Sequence, residues 1–286
     1  VFDTSSTNFG VSGSRQSFLK DMTSGTLEMV SLANSGGHGN ALCRIPRVSN
    51  DGRYVVWNAS SSCTNLVGAG DLGGADTNGF GDAYVRDRTT GTTIRASLSS
   101  SNTQGTTGPG FPTGSFNADI SGNGQFVVFF NDLSDLVGAG DQGGADTNGV
   151  ADIFVRDILN NQTFRVSLAD DETQGSFTGI TTPLGANSCG ISADGRFVVF
   201  DTDAHTMDPT SADTNGVSDV YVRDRQTGQT RRVSLAPDRS QGLQGSFNAV
   251  ISDDGRQIAF ITASALVPTD TNGFNDVYVV ANPLAP

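Results

Sequence analysis

Four copies of a short acidic turn hold the residues best suited to chemistry in this 286-residue chain. The first copy reads Asp76-Thr-Asn-Gly-Phe-Gly-Asp82, which places carboxylate, amide and carboxylate oxygens around a glycine bend. Calcium prefers a shell of hard oxygen ligands, and a loop of this kind can wrap it, with one backbone carbonyl pointing inward. The sequence therefore predicts four calcium sites, with these ligands: Asp76, Asn78, Phe80 and Asp82; Asp146, Asn148, Val150 and Asp152; Asp213, Asn215, Val217 and Asp219; Asp270, Asn272, Phe274 and Asp276.

The same residues also fit a purely structural role, in which the first Asp and the Asn cap a turn and the last Asp starts a strand. Near the beginning of the chain the three polar ligands are replaced by Gly10, Ser12 and Gln16, although the strand that follows, Ser17–Asp21, is retained. A strand that persists without the acids does not need them, and this favours calcium binding over a purely structural role for the acids. Asp71 and Asp141, in Gly-rich insertions, are predicted outer ligands of two sites.

Each acidic turn is preceded by one hairpin and followed by another. Asp-Gly or Asn-Gly between two apolar runs is a strong hairpin signal, as in Ser192-Ala-Asp-Gly-Arg196 ahead of Phe197–Phe200. The strand after this turn is apolar on both faces, so we expect it to be buried between two layers. In the second hairpin Asn161 stands where other copies have Gly, and we expect it to be left-handed.

Two sets of charged residues recur in the second hairpin. An aspartate that closes the third strand is predicted to start the turn, at Asp21, Asp87, Asp157 and Asp224. An arginine on the outer strand is predicted to be a cross-strand partner of acids, at Arg95, Arg165 and Arg232.

A repeat of four short strands is typical of the blades of a β-propeller. We predict an all-β fold, a single propeller domain over 1–286 with four-stranded antiparallel blades. About five blades are expected, at 1–34 (partial), 41–98, 112–168, 186–235 and 246–280. The first and last are incomplete, so the partial blades close the ring locally, or neighbouring chains complete one another, or the chain is a fragment.

Composition limits the function. A net charge of −13 argues against nucleic acid and permits cation binding. No apolar run could span a membrane, and no leader precedes Val1, so any export signal is expected to be removed or to lie outside this chain. Cys43 and Cys63 can form a disulfide within one repeat, which leaves Cys189 as a buried thiol. The two histidines, His38 and His205, are expected at the surface.

The segments Ser192–Arg196, Phe197–Phe200 and Val220–Asp224 together resemble the TolB-like β-propeller superfamily, a WD-repeat-like group rich in exported bacterial proteins. This resemblance implies the fold for nearly the whole chain. It leaves the function open, because propellers include enzymes, scaffolds and binding platforms. The Asp-Thr-Asn-Gly turn goes beyond the pattern of that superfamily.

These observations favour a non-enzymatic, extracellular or cell-surface propeller that binds calcium and acts as a structural, adhesive or self-assembling module. Its expected partners are calcium ions and copies of itself, joined through the incomplete terminal blades. The alternatives are a propeller enzyme that acts on glycans or peptides and a periplasmic propeller that binds proteins.

Overall fold

A computed structural model describes residues 1–11, 13–106, 108, 115–176 and 186–286. These residues form eighteen strands in five antiparallel sheets, together with one 3₁₀ turn at Thr7–Phe9. Ser12 and residues 112–114, with which the third predicted blade begins, lie outside the described residues. Along the described ranges, no helix is long and apolar enough to cross a bilayer.

The sheets follow one another along the chain, and we number them as blades. Blade 1 holds β1 (Phe2–Thr4), β2 (Gln16–Lys20) and β3 (Leu27–Met29); blade 2 holds β4 (Cys43–Val48), β5 (Tyr54–Ala59), β6 (Asp82–Asp87) and β7 (Thr92–Arg95); blade 3 holds β8 (Ser115–Ile120), β9 (Phe126–Asn131), β10 (Asp152–Asp157) and β11 (Gln162–Arg165); blade 4 holds β12 (Ala186–Ile191), β13 (Phe197–Thr202), β14 (Asp219–Asp224) and β15 (Gln229–Arg232); blade 5 holds β16 (Ser246–Ile251), β17 (Gln257–Thr262) and β18 (Asp276–Ala281).

The first hairpin of each complete blade is shaped by its Ser-x-Asp/Asn-Gly turn. In blade 4, Ser192 Oγ donates to Asp194 Oδ1 at 2.6 Å and accepts from Phe197 N at 2.9 Å. Gly195 adopts a φ of 76°, a left-handed conformation that a side chain would disfavour. Asn161 takes the same conformation in the second hairpin of blade 3, with a φ of 55°. Both hairpin predictions are confirmed.

The core lies between neighbouring blades. Val56, Ala83 and Val85 of blade 2, all at most 1% exposed, pack against Val127 and Phe129 of blade 3. Equivalent clusters join blade 3 to blade 4 and blade 4 to blade 5. Removal of apolar surface from water at each of these contacts stabilises the packing of one blade against the next. The predicted burial of the second strand between two layers is confirmed.

The first strands of blades 2 to 5 meet at the centre, which makes the architecture a β-propeller. Their hairpin turns contact one another in order: Asn50 N donates to Gly122 O, Asn123 N to Ala193 O, and Ala193 N to Asp253 O, each at 3.0–3.1 Å. The described sheets thus give about five blades, of which the first lacks the innermost strand and the last lacks the outermost.

Candidate functional site

In blades 2 to 4 the second acid of each loop enters the sheet beside an arginine. Asp82 begins β6, and its Oδ1 accepts a hydrogen bond from Ser97 Oγ at 2.6 Å. Its Oδ2 lies 3.0 Å from Arg95 Nε, and both side chains are almost completely buried. Arg95 is paired with Tyr84 across the two strands, so Asp82, Tyr84 and Arg95 share one face of the sheet.

The arrangement recurs in the next two blades. Asp152 Oδ2 lies 3.0 Å from Arg165 Nε, and Asp219 Oδ2 lies 3.3 Å from an Nη atom of Arg232. Each guanidinium also lies over an aromatic ring at 5.6–5.7 Å, the ring of Tyr84, Phe154 or Tyr221. The three arginines predicted to be cross-strand partners of acids are therefore confirmed, and each is almost completely buried in a four-stranded blade.

The first acid and the asparagine of each loop build the turn. The backbone N–H of the fifth loop residue donates to the asparagine Oδ1 in all four copies, at 2.7–3.2 Å, in the pairs Phe80–Asn78, Val150–Asn148, Val217–Asn215 and Phe274–Asn272. Asp76 and Asp213 are also drawn toward the arginine, with closest approaches of 4.0 and 3.9 Å to Arg95 and Arg232. In blades 2 and 4 the loop is thus an Asx turn that carries two carboxylates to a guanidinium.

In blade 1 the acid and the arginine are replaced together. Gln16 takes the place of Asp82, and its Oε1 accepts from Ser31 Oγ at 2.7 Å as the aspartate does from Ser97. Met29 takes the place of Arg95 on the outer strand, opposite Phe18. A neutral pair fills the site where a charged pair stands elsewhere. The loss of the acids in this blade therefore has an explanation besides the loss of a metal ion.

Blade 5 keeps the acids and the aromatic residue, but no outer strand among the described residues pairs with β18. Asp270 Oδ2 accepts a hydrogen bond from the hydroxyl of Tyr278 at 2.6 Å, and Asp276 Oδ2 accepts from Asn272 Nδ2 at 2.9 Å. No salt bridge to either acid is present along the described ranges. This loop carries the same two carboxylates as the others and lacks their cation.

Burial dominates the protonation of the second loop acid in blades 2 to 4. It raises the pKa of Asp82, Asp152 and Asp219 to about 6 in each case, although the neighbouring arginine acts in the opposite direction. Burial also raises the pKa of Asp76. These carboxyl groups lose hydration that one guanidinium only partly replaces.

The fit of calcium differs between the loops. Several buried carboxylate oxygens have no hydrogen-bond partner in the described part of the chain: Asp76 Oδ1, Asp82 Oδ2, Asp213 Oδ2 and Asp219 Oδ2. These oxygens suit a cation, but those of Asp76, Asp82 and Asp219 already lie beside a guanidinium. No group of three or more His, Cys, Asp or Glu side chains that could hold a metal occurs within the described residues. Calcium at the four loops stays a prediction.

Other predicted residues have local roles. Asp71 Oδ2 and Asp141 Oδ2 each accept from a backbone N–H of their own loop, that of Gly68 or Gly138, at 2.6–2.7 Å. The turn aspartates accept from the N–H two residues ahead, as predicted, at Asp21, Asp87, Asp157 and Asp224. His205 is partly buried, with Nδ1 3.9 Å from Asp213 Oδ2. His38 is also partly buried.

The cysteines are thiols. Cys43 and Cys63 are completely buried, and their sulfur atoms lie 3.7 Å apart without a bond. Cys189 is only partly buried, in contrast to the expectation of a buried thiol, and its Sγ donates to Asn117 O at 3.1 Å. It is exposed because it lines the central cavity.

Sequence reasoning missed that cavity. It encloses about 210 Å³ among the first strands of blades 2 to 5, and Arg47, Asp119 and Cys189 contribute its titratable groups. Each of these strands has an irregular register, and the left-handed residues Asn117 and Asn248 are among those that line the cavity. Asparagine visits the left-handed conformation more readily than most residues, so an asparagine in the middle of a predicted strand is the signal in the sequence for such an irregularity.

Comparisons with known proteins bear on the fold alone. No protein-family model matches the chain, and no curated protein matches it. Among solved structures it is similar to TolB from Acinetobacter baumannii, with 17% identity and a TM-score of 0.49, over 95% of this chain and 49% of that one. It is also similar to a structure described as putative TolB from Agrobacterium tumefaciens, with 16% identity and a TM-score of 0.48, over 92% of this chain and 64% of that one. The chain thus spans about half to two thirds of the length of these proteins.

Proposed function

We propose that this chain is a non-enzymatic β-propeller that acts outside the cell, or at its surface, as a self-assembling structural module. The observation that supports self-assembly is the uncovered face of blade 5. We call this the forward face; it consists of Ala259, Ile261, Val277 and Val279, which lie opposite one another on β17 and β18. Val277 is 69% exposed and Val279 is 63% exposed.

The same face is covered in every complete blade. The equivalents of Ala259, Val277 and Val279 are Val56, Ala83 and Val85 in blade 2, Val128, Ile153 and Val155 in blade 3, and Val199, Val220 and Val222 in blade 4; none is more than 1% exposed. Each set packs against the next blade, where a stacked aromatic pair such as Phe129–Phe154 or Phe200–Tyr221 contributes to the contact. The chemistry that would cover blade 5 is therefore known from the other blades of this chain.

Blade 1 offers the matching surface. Phe2 and Phe18 form its stacked pair, with ring centroids 5.7 Å apart, and Phe9 lies against both. Phe9 is 39% exposed, and Phe2 is partly exposed. We infer that the forward face of blade 5 binds this aromatic cluster on a second copy. Such a contact joins two different surfaces, so it builds head-to-tail assemblies, which are rings where the rotation between copies closes and filaments where it does not.

Sedimentation velocity over a range of protein concentrations tests this proposal. We expect oligomers that grow with concentration and disappear in the Val279→Lys and Phe9→Lys variants, because each places a charge in an apolar contact. A mixture of the two variants should form dimers, since each retains one intact surface. Leu159→Lys is a matched control, because Leu159 is exposed in a hairpin of blade 3. A chain that remains monomeric at all concentrations would exclude self-assembly.

A further inference from the structure

Blade 2 contains two of the three cysteines of the chain. Cys43 is the first residue of β4, whereas the first strands of blades 3, 4 and 5 begin with Ser115, Ala186 and Ser246. Cys63 lies in the loop that follows β5. The pair is therefore a feature of one blade and not of the repeat.

The two sulfur atoms face each other inside the blade. Cys43 Sγ lies 3.7 Å from Cys63 Sγ, and both residues are completely buried in an apolar cluster with Trp57 and Leu66. A disulfide bond is about 2.05 Å long, so the sulfur atoms need to approach by about 1.7 Å to form one. The thiols are thus in contact, although they are not bonded.

The backbone is held on both sides of the pair. Ser60 N donates to Leu42 O at 2.9 Å, on the side where the hairpin of β4 and β5 ends. On the other side, Thr64 N donates to Asn40 Oδ1 at 3.0 Å, and Asn40 N donates to Asn65 Oδ1 at 2.9 Å. Since these hydrogen bonds fix the separation of the two segments, rotation of the two cysteine side chains can bring the sulfur atoms together without a change in the backbone.

Blades 3 and 4 fill the place of Cys63 with an aliphatic side chain. A Cβ at Gly39 would lie 2.6 Å from Cys43 Sγ and 3.0 Å from Cys63 Sγ. The glycine that follows the same isolated β-bridge in the next two blades faces a different residue, Leu133 at Gly105 and Ala204 at Gly175. Aliphatic packing therefore serves this position elsewhere in the chain, which favours a chemical role for the two thiols of blade 2.

We propose that Cys43 and Cys63 form a cross-linking site, which a small disulfide such as oxidised glutathione converts into an intramolecular disulfide bond. The thiolate of one cysteine attacks the oxidant and displaces one glutathione thiolate. The thiolate of the other cysteine then attacks the mixed disulfide and displaces the second glutathione. The two protein sulfurs are oxidised, the oxidant is reduced to two molecules of glutathione, and these take up the two thiol protons.

Burial determines when this reaction takes place. Because both thiols are completely buried in the folded chain, we expect the bond to form while the chain folds, before the loop after β5 covers them. The folded blade then shields the bond from reductants. The bond closes the open end of the hairpin of β4 and β5, and it restricts the unfolded chain more than the folded one.

This inference goes beyond the proposed function and does not depend on it. It concerns the interior of blade 2, whereas self-assembly depends on the forward face of blade 5. The two agree in one respect, because disulfide bonds persist outside the cell, where oxidants are maintained. A monomeric chain can carry the bond and an assembling chain can lack it, so the two proposals can fail separately.

Thiol counting after oxidative refolding tests the cross-link. The whole chain is denatured and reduced, refolded in a buffer of reduced and oxidised glutathione, and then alkylated in denaturant before its intact mass is measured. We expect one free thiol per chain and a peptide map that joins Cys43 to Cys63 and leaves Cys189 alkylated. Cys189→Ser is the matched control and should keep the link, whereas Cys63→Ser should leave no link within the chain.

Thermal melts with and without a reductant measure what the bond contributes. We expect the Tm of the oxidised chain to lie about 5–10 °C above that of the reduced chain. The double variant with Cys43→Ser and Cys63→Ser should show no response to the reductant. Three free thiols after refolding, a link that involves Cys189, or equal Tm values of the oxidised and reduced chain would overturn the proposal.

Discussion

Asn50, in the first hairpin of blade 2, donates from Nδ2 to Asp253 Oδ2, in the first hairpin of blade 5, at 2.8 Å. The two residues are 203 positions apart. Together with the backbone bonds from Asn50 to Gly122, Asn123 to Ala193 and Ala193 to Asp253, this contact closes a ring of turns at one end of the molecule. Four blades are therefore tied together near the axis, independently of their apolar faces.

The ring predicts a strict requirement for glycine at position 122. A Cβ there would lie 2.7 Å from Ala193 Cβ and 2.7 Å from Asn50 Cγ, so Gly122→Ala must push two turns apart. We expect a loss of about 1–3 kcal/mol in the free energy of unfolding, measured by urea denaturation. Gly140→Ala is the matched control, because a Cβ at Gly140 meets no atom within 4 Å. Equal stability of the two variants would contradict the importance of the ring.

The acid and arginine of a blade should behave as one unit. Arg165→Met leaves Asp152 buried without its partner, and we expect it to cost about 3–5 kcal/mol of stability. Asp152→Gln should also be costly, because it leaves the guanidinium unpaired. The double variant reproduces the Gln16–Met29 combination of blade 1, and we expect it to be more stable than either single variant. Additive losses in this double-mutant cycle would show that the residues act independently.

Stability should fall as the pH rises through 6. Burial raises the folded-state pKa of Asp82, Asp152 and Asp219 to about 6, above the ordinary value of 3.8, so the folded chain binds more protons than the unfolded chain between these values. The stability that these groups contribute is fully present below pH 3.8 and is lost as the pH rises through about 6.

Urea denaturation between pH 4.5 and 7 measures this effect. We expect Asp152→Asn to make the decline shallower, because the amide does not titrate. Asp171→Asn should leave the decline unchanged, since hydrogen bonds to Thr173 lower the pKa of that carboxyl and place its titration below this range. A stability that increases with pH across the whole interval would contradict the assignment.

Calcium content tests the metal prediction directly. We expect about one ion per chain after dialysis against calcium, held by the blade 5 loop, because its two carboxylates have the ligand chemistry of calcium and face no guanidinium within the described residues. Asp276→Asn should remove this ion, whereas Asp152→Asn should not. A count of four calcium ions per chain would show that the arginines move aside in the other loops. No bound calcium would show that the acidic turns act only as turn caps.

Much of the fold could be predicted from local signals. The Asp-Gly turns and the doubly apolar strand at Phe197–Phe200 act within a few residues, so periodicity and turn chemistry are enough to find them. The sequence predicts Arg95 as a partner of acids, but the approach of Arg95 to both Asp76 and Asp82 depends on the register of β6 with β7. The central cavity depends on register shifts in four separate strands, so the sequence of any one segment does not predict it.

The paired replacement in blade 1 has a consequence for how such a chain can diverge. Starting from a charged blade, either single substitution leaves a buried ion without its partner, so we expect both one-step intermediates to be less stable than the two end states. The charged and the neutral form of a blade are thus expected to be separated by less stable intermediates rather than by a gradual change in stability. The two stable combinations are the neutral pair Gln16 and Met29 and the charged pair Asp152 and Arg165. A change from one combination to the other requires excess stability elsewhere in the molecule.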